Sequence, residues 1–246
     1  MSYGLLKGKK GIIFGALNDQ SIAWKVAERC HEEGAEFILS NAPIAMRMGE
    51  IDELAAKTGS DVIPADATSV EDLEKLFAHA QEKFGKIDFI LHSIGMSVNI
   101  RKVMKAAWDK DIMNEWGSIL ALTYIAAQRT FPNYGDMADN KSYLESIARS
   151  FGYYWGERKV RVNTISQSPV MTKAGAGVKG INGFFNFADS MSPLGNADAM
   201  DCANYCVSLF SDLTRKVTMQ NLFHDGGFSN TGVSQKIVDK FEDFEG

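Results

Sequence analysis

Short apolar runs alternate along this chain with longer stretches whose apolar positions recur every three or four residues. Gly11-Ile12-Ile13-Phe14-Gly15 reads as a buried strand, and Ile22 to Glu33 as an amphipathic helix closed by Gly34. The alternation continues with a strand at 37–40, a helix over 51–58 stopped near Gly59, and a strand at 62–64. A long helix over 70–84 stopped by Gly85 follows, then a strand over 87–93. Residues 119–123, 160–165 and 221–224 supply three further strands. Strands separated by helices imply parallel pairing, right-handed crossovers and helices on both faces. The pattern therefore predicts a doubly wound α/β sheet of seven parallel strands, with ligands at the carboxyl ends of the strands. No repeat and no second domain is evident, so 1–246 is read as one domain. The tail from Gln235 to Gly246 fits either a packed helix or a mobile end.

Composition narrows the function. A chain of 246 residues, 45% hydrophobic, fits a single domain with an ample core. The net charge of -5 and the scattered Lys and Arg residues predict neither a nucleic-acid nor a membrane partner. Cys30, Cys202 and Cys206 read as buried free thiols, because no further ligand has zinc spacing and no metal is expected. Free thiols, and an N-terminal apolar run too short for a signal peptide or membrane span, give a cytoplasmic reading.

The strand ends carry candidate chemistry. Between Gly15-Ala16 and Ser21-Ile22-Ala23 lies Leu17-Asn18-Asp19-Gln20, which is not a G-x-G-x-x-G loop. Gly15 still permits a tight turn, Ser21 can cap the helix, and helix N–H groups can face a pyrophosphate. An ordinary strand-to-helix turn fits the same residues. Strand three ends in Asp66-Ala67, where the carboxylate can accept from an adenine amine or cap the next helix, although Ser69 is better placed to cap. Strand four ends in Ser93-Ile94-Gly95, small enough for a ribose to approach the backbone. At the end of strand two, Ser40-Asn41-Ala42-Pro43 is neither acidic nor basic, and Arg47 lies a little farther on; NADH is favoured over NADPH.

After strand five comes Tyr124, then Phe131-Pro132-Asn133-Tyr134, then Lys141. Tyr134 and Lys141 are seven apart, two helical turns, so they share a face. Hydride arriving on a conjugated or simple carbonyl places negative charge on oxygen, and a phenol can meet it. A nearby ammonium is expected to lower the phenol pKa and to hold the nicotinamide ribose. An incidental Tyr and Lys on a surface helix is the bland alternative.

These residues resemble the enoyl-acyl-carrier-protein reductases of bacterial fatty-acid synthesis, a divergent branch of the short-chain dehydrogenase/reductase family. The resemblance covers nearly the whole chain. It rests most on Tyr134-x6-Lys141 with Tyr124 ten residues upstream, where ordinary members carry Tyr-x3-Lys. Gly15 with Ser21-Ile22-Ala23, Ser93-Ile94-Gly95, Arg161-Val162-Asn163, 168–172 and 224–228 add to it. The resemblance implies a Rossmann-type fold, an NADH cofactor, an acyl-carrier protein as partner and a homotetramer. It implies that Tyr134 bonds the thioester carbonyl, Lys141 holds the cofactor ribose, and Tyr124 lines the pocket near the reacting carbon. Gly15, Ser21, Ile22, Asp66, Ala67, Ser93, Ile94, Gly95, Val170, Met171, Thr172, Lys173 and Ala174 would contact the cofactor, and Ser97 and Met137 the substrate. The segment at about 172–192, rich in Gly and Phe, suits a lid over an acyl chain. Packing of Phe184, Phe185 and Phe187 into the core is the other reading.

Two departures stand out. The family's segment between strands four and five is longer by roughly thirty residues, whereas a parallel crossover needs only about a dozen. Residues missing near Arg101 and Lys102 are therefore expected, with an abnormal Cα spacing there; an unbroken join would count against activity. Gln167-Ser168 replaces smaller residues beneath the nicotinamide. Competing functions are a reductase of 3-oxoacyl thioesters or another carbonyl, and a nucleotide-sensing module without catalysis.

Overall fold

The computed structural model describes residues 2–47, 49–95, 99–172 and 180–242, with the side chain of Ile181 left aside. Seven parallel strands form one sheet in the order β3-β2-β1-β4-β5-β6-β7, as the alternation predicts. They are β1 (Lys10–Phe14), β2 (Glu36–Ser40), β3 (Asp61–Val62), β4 (Ile87–His92), β5 (Met113–Thr123), β6 (Arg161–Gln167) and β7 (Asn221–His224). The chain starts at β1, builds outward to β3, then returns to pair β4 with β1. That reversal leaves a crevice above the carboxyl ends of β1 and β4.

Helices α1 (Ile22–Glu32), α2 (Pro43–Met46), α3 (Ile51–Thr58), α4 (Val70–Phe84), α5 (Ile100–Asp109), α6 (Gly135–Trp155), α7 (Ile181–Met191), α8 (Ala199–Phe210) and α9 (Gln235–Glu242) complete the order. Side chains alternate across a strand, so β1 sends Ile12 and Phe14 to one face and Ile13 to the other. Ile12 and Phe14 enter a core with Leu73 and Phe77 of α4, Val103 of α5 and Leu144 and Ile147 of α6. Ile13 enters a second core with Val26 and Cys30 of α1 and Cys202 and Cys206 of α8. All three thiols are buried and free.

Helices α3 and α4 have the predicted bounds because strong signals stop them. Gly59 takes the left-handed conformation at the end of α3, and Ser69 Oγ accepts from Asp72 N at the start of α4. The tail of described residues takes its helical alternative as α9, where Lys240 Nζ donates to Ser190 Oγ of α7 at 3.0 Å. Strand β5 begins six residues earlier than expected. Its first half, Met113–Gly117, interrupts the apolar run with Asn114 and Glu115, and it joins the sheet through an irregular register with β4 around Ile87 and Phe89. Arg101 and Lys102, beside which residues were expected to be missing, lie in the first turn of α5.

Candidate active site

A cavity of about 390 Å³ opens at the crevice. Its cofactor wall contains Gly15, Ser21, Ile22, Ser93, Ile94 and Gly95, brought together from the ends of β1 and β4 and the start of α1. Gly15 is required by geometry. Its φ is +98°, and a Cβ there would lie 2.0 Å from the Ser93 carbonyl oxygen. Only glycine lets the two strand ends approach this closely.

Ser21 stands at the N-cap position of α1, yet it makes no capping hydrogen bond. Its hydroxyl donates to Asn18 O at 2.8 Å and accepts from Leu17 N at 3.3 Å. The expected cap is thus a loop staple, because the turn's own backbone offers nearer partners. Asn41 donates to Ala16 O at 3.0 Å and accepts from Ala42 N at 2.9 Å, closing the neutral end of β2 against the same loop.

Asp66 and Ala67 lie outside the cavity lining. Asp66 Oδ1 accepts from both the N–H and the hydroxyl of Thr68 at 2.8 Å, and these bonds hold its carboxyl below the usual range. Ala67 is buried in the core. On the opposite side Val170 and Thr172 line the cavity, whereas Met171 is 45% exposed and points away from the core. Lys173, Ala174 and Ser97 fall outside the described residues.

The chemical wall comes from the end of β5 and the start of α6. Tyr124, Tyr134, Met137 and Lys141 all line the cavity. Tyr134 immediately precedes α6 and Lys141 lies in its second turn. The Tyr124 and Tyr134 rings are 5.5 Å apart, and Phe131 stands 5.2 Å from Tyr124. Lys141 is only 8% exposed, and its Nζ donates to Leu122 O at 2.9 Å. Burial lowers its pKa to about 8.

The phenols run the other way from the sequence expectation. Burial raises the pKa of Tyr134, and burial together with Tyr134 and Asp225 raises that of Tyr124. Desolvation outweighs any stabilisation of phenolate by Lys141, so both groups hold their protons at neutral pH. A protonated phenol is the donor form.

Two buried arrangements behind the wall escape sequence reading. His92, at the end of β4, donates from Nε2 to Asn99 Oδ1 at 2.9 Å; burial, with Lys141's charge added, lowers its pKa to about 4. Gln167 lines the cavity and accepts from His224 Nδ1 at 2.7 Å, with His224 stacked on Tyr205. Gln167 was legible as an unusual residue, but its partner, 57 positions away, was not. Phe131 was missed as a cavity wall, its aromatic position three before Tyr134 being the available signal, whereas Phe184 belongs to the Gly- and Phe-rich segment read as a lid. Phe184, Phe185 and Phe187 belong to neither core, against the packing alternative. Among the described residues no cluster of His, Cys, Asp or Glu is placed to hold a metal.

Fold and cleft together define a doubly wound α/β protein of oxidoreductase type, with a crevice at the strand ends and a Tyr/Lys wall. The family model for enoyl-(acyl carrier protein) reductase matches residues 15–110 and 99–229. The NADH-type enoyl-[acyl-carrier-protein] reductase of Rickettsia bellii is 32% identical, covering 97% of this chain and all of the relative. An NADH-type enoyl-[acyl-carrier-protein] reductase of Rhizobium meliloti, numbered 2, is 31% identical over 94% of this chain and 95% of its own length. The crystal structure of a FabI-NADH complex from Alistipes finegoldii superposes with a TM-score of 0.94 at 57% identity, covering 95% of this chain and 92% of that one. The chain belongs to the enoyl-acyl-carrier-protein reductase family.

The same matches locate the shortening. The Rickettsia alignment runs over 265 residues while using 97% of a 246-residue chain, so about two dozen positions of that relative have no counterpart here. The two stretches matched by the family model meet and overlap at 99–110, which is where α5 runs.

Proposed function

We propose that this chain reduces the double bond of trans-2-enoyl-acyl-carrier-protein thioesters with NADH in fatty-acid elongation. The observation that carries the reading is the convergence of Tyr124, Tyr134 and Lys141 on one wall of the crevice, facing Gly15, Ser93 and Gly95. The crevice suits a dinucleotide: the Gly15 turn admits close backbone approach, and the far wall offers a buried cation for the ribose hydroxyls.

NADH, when bound, supplies the hydride that reaches the β-carbon of the substrate. Tyr134 donates its phenolic proton in a hydrogen bond to the thioester oxygen and stabilises the enolate as charge develops there. Lys141 holds the ribose hydroxyls, and Tyr124 packs beside the reacting carbon. Gly15, Ser21, Ile22, Ser93, Ile94, Gly95, Val170, Met171, Thr172, Lys173 and Ala174 form the cofactor surface, with Asp66 and Ala67 at the adenine end. Ser97 and Met137 meet the substrate, and the segment at about 172–192 closes over it. The neutral end of β2 at Asn41 leaves the adenine ribose without the Arg that a 2′-phosphate would want.

An acyl-carrier protein presents the substrate, the assembly is a homotetramer, and the site of action is the cytoplasm. No helix among the described residues is long and apolar enough to cross a membrane. A direct assay is decisive. NADH oxidation is measured with crotonyl thioester and, in parallel, acetoacetyl thioester. The expected result is turnover of the first; reduction of only the second would replace this reading with a carbonyl reductase.

A further inference from the structure

We propose that Glu145 is a positioning residue for the reaction: its buried carboxylate ties both flanks of Tyr124 to α6, the helix that presents Tyr134 and Lys141. The inference rests on the reading of the crevice as an enoyl-thioester site, and it adds what keeps the two halves of the chemical wall in register.

The wall needs such a device because two separate segments build it. Tyr124 follows the last residue of β5, whereas Tyr134 and Lys141 stand at the start of α6. A single turn of 3-10 helix over Ile125–Ala127 begins the crossing between them. Any slip of one segment past the other would change the distance between the two phenols.

Glu145 lies one helical turn beyond Lys141 and shares its face. It is only 4% exposed. A carboxylate so buried requires donors to satisfy it, and here three converge. Its Oε1 accepts from Thr123 Oγ1 at 3.0 Å and from Asn221 Nδ2 at 3.2 Å. Its Oε2 accepts from Gln128 Nε2 at 2.9 Å. Thr123 immediately precedes Tyr124 and itself lines the cavity, and Gln128 closes the 3-10 turn that Tyr124 opens. The carboxylate therefore grips the chain on either side of the phenol. Two neighbours on α6 reach the same segment from one side each. Lys141 Nζ bonds Leu122 O, ahead of Tyr124, and Ser142 Oγ donates to Ala127 O at 2.7 Å, behind it. Of these three side chains, Glu145 is the one that spans Tyr124.

The third donor serves a different end. Asn221 begins β7, the edge strand, and its Oδ1 accepts from Thr164 Oγ1 of β6 at 3.0 Å. Its bond anchors the carboxylate to the edge of the sheet, away from the 123–128 segment. The donors thus separate two roles. A carboxylate that only stabilises the fold would cost turnover in step with stability whichever partner is removed, whereas a positioning carboxylate costs turnover through the donors that flank Tyr124.

The test measures four quantities: kcat with crotonyl thioester, NADH affinity by fluorescence titration, melting temperature, and backbone hydrogen exchange at 124–128 without substrate. Glu145→Met removes every acceptor at similar side-chain length. Its kcat is expected to fall by about tenfold or more, because a displacement of about 1 Å between reacting groups can cost about a hundredfold. NADH affinity should stay within about threefold of wild type, and exchange at 124–128 should rise. Glu145→Gln keeps an acceptor oxygen for Thr123 and Asn221, and the Gln128 amide can turn to meet the new N–H; kcat should recover to within about threefold of wild type. Gln128→Met should slow turnover. Asn221→Ala should lower the melting temperature while kcat stays within about twofold of wild type. A kcat that follows melting temperature alike in all four variants would overturn the inference. So would unchanged exchange in Glu145→Met, or a Glu145→Gln variant as slow as Glu145→Met. If Glu145→Met does not fold, Gln128→Met against Asn221→Ala decides. A wild type that turns over no thioester overturns the proposed function itself, and the exchange pattern still decides whether Glu145 tethers the segment.

Discussion

The two walls of the crevice are made of different material. The cofactor wall is mostly backbone and small residues, Gly15, Ser21, Ser93 and Gly95, held by short loop hydrogen bonds. The opposite wall is bulky and titratable, with Tyr124 and Tyr134 half-buried and Lys141 buried against β5. The first works by shape, so its failure should appear as lost binding. The second works by where protons and charge reside, so its failure should appear as lost turnover.

The sharpest way to break that division is Tyr134→Phe. It removes one hydroxyl and leaves the ring, so kcat for crotonyl thioester is expected to fall by about 10²–10⁴. NADH affinity, read by fluorescence titration, should stay close to wild type. Unchanged turnover would show that the phenol is not the proton donor.

Gly15→Val probes the other wall. Its branched side chain would have to displace the Ser93 carbonyl from a residue already at φ +98°. Strain of this kind costs about 1–3 kcal/mol. We expect a lower melting temperature and NADH affinity weakened by about tenfold or more, since the backbone at Ser93 must shift. A variant that binds NADH as wild type would show that the strand ends tolerate separation.

The smallest effect sharpens the comparison by pH. The Lys141 ammonium is lost as pH rises through about 8, so NADH affinity should decline by a few-fold across that range. Lys141→Arg, which stays charged, should flatten the decline. Stability moves in the opposite sense. The unfolded chain binds the proton up to about pH 10.5 while the folded one releases it near 8. Between those values the unfolded state binds more protons, so unfolding free energy rises with pH. A denaturation series that falls over this window would contradict the burial of a charged Lys141.

Much of this was readable in advance. The sheet and its order of elements follow from apolar periodicity, and the Gly59 and Ser69 signals fix α3 and α4 because each satisfies helix-end groups locally. Tyr134 and Lys141 were legible by spacing and order, and Tyr124 and Met137 through the family resemblance; all four line the cavity. What escaped depends on partners that the pattern does not reveal. Asp66 is captured by Thr68, Ser21 by Leu17 and Asn18, and Gln167 by His224. Hydrogen-bond competition of that sort leaves no periodic trace. The direction of the Tyr134 shift was misjudged for a related reason: proximity to a cation is visible in spacing, but burial is a property of the assembled wall.

The low pKa of Lys141 also has a consequence for reagents. An ordinary surface lysine at pH 8 is almost wholly protonated and a poor nucleophile, whereas a group with a pKa of about 8 is half free amine. Lys141 should therefore stand apart from the other lysines toward an amine-reactive probe small enough to enter the crevice. Occupancy of that crevice would then be readable as protection of a single side chain.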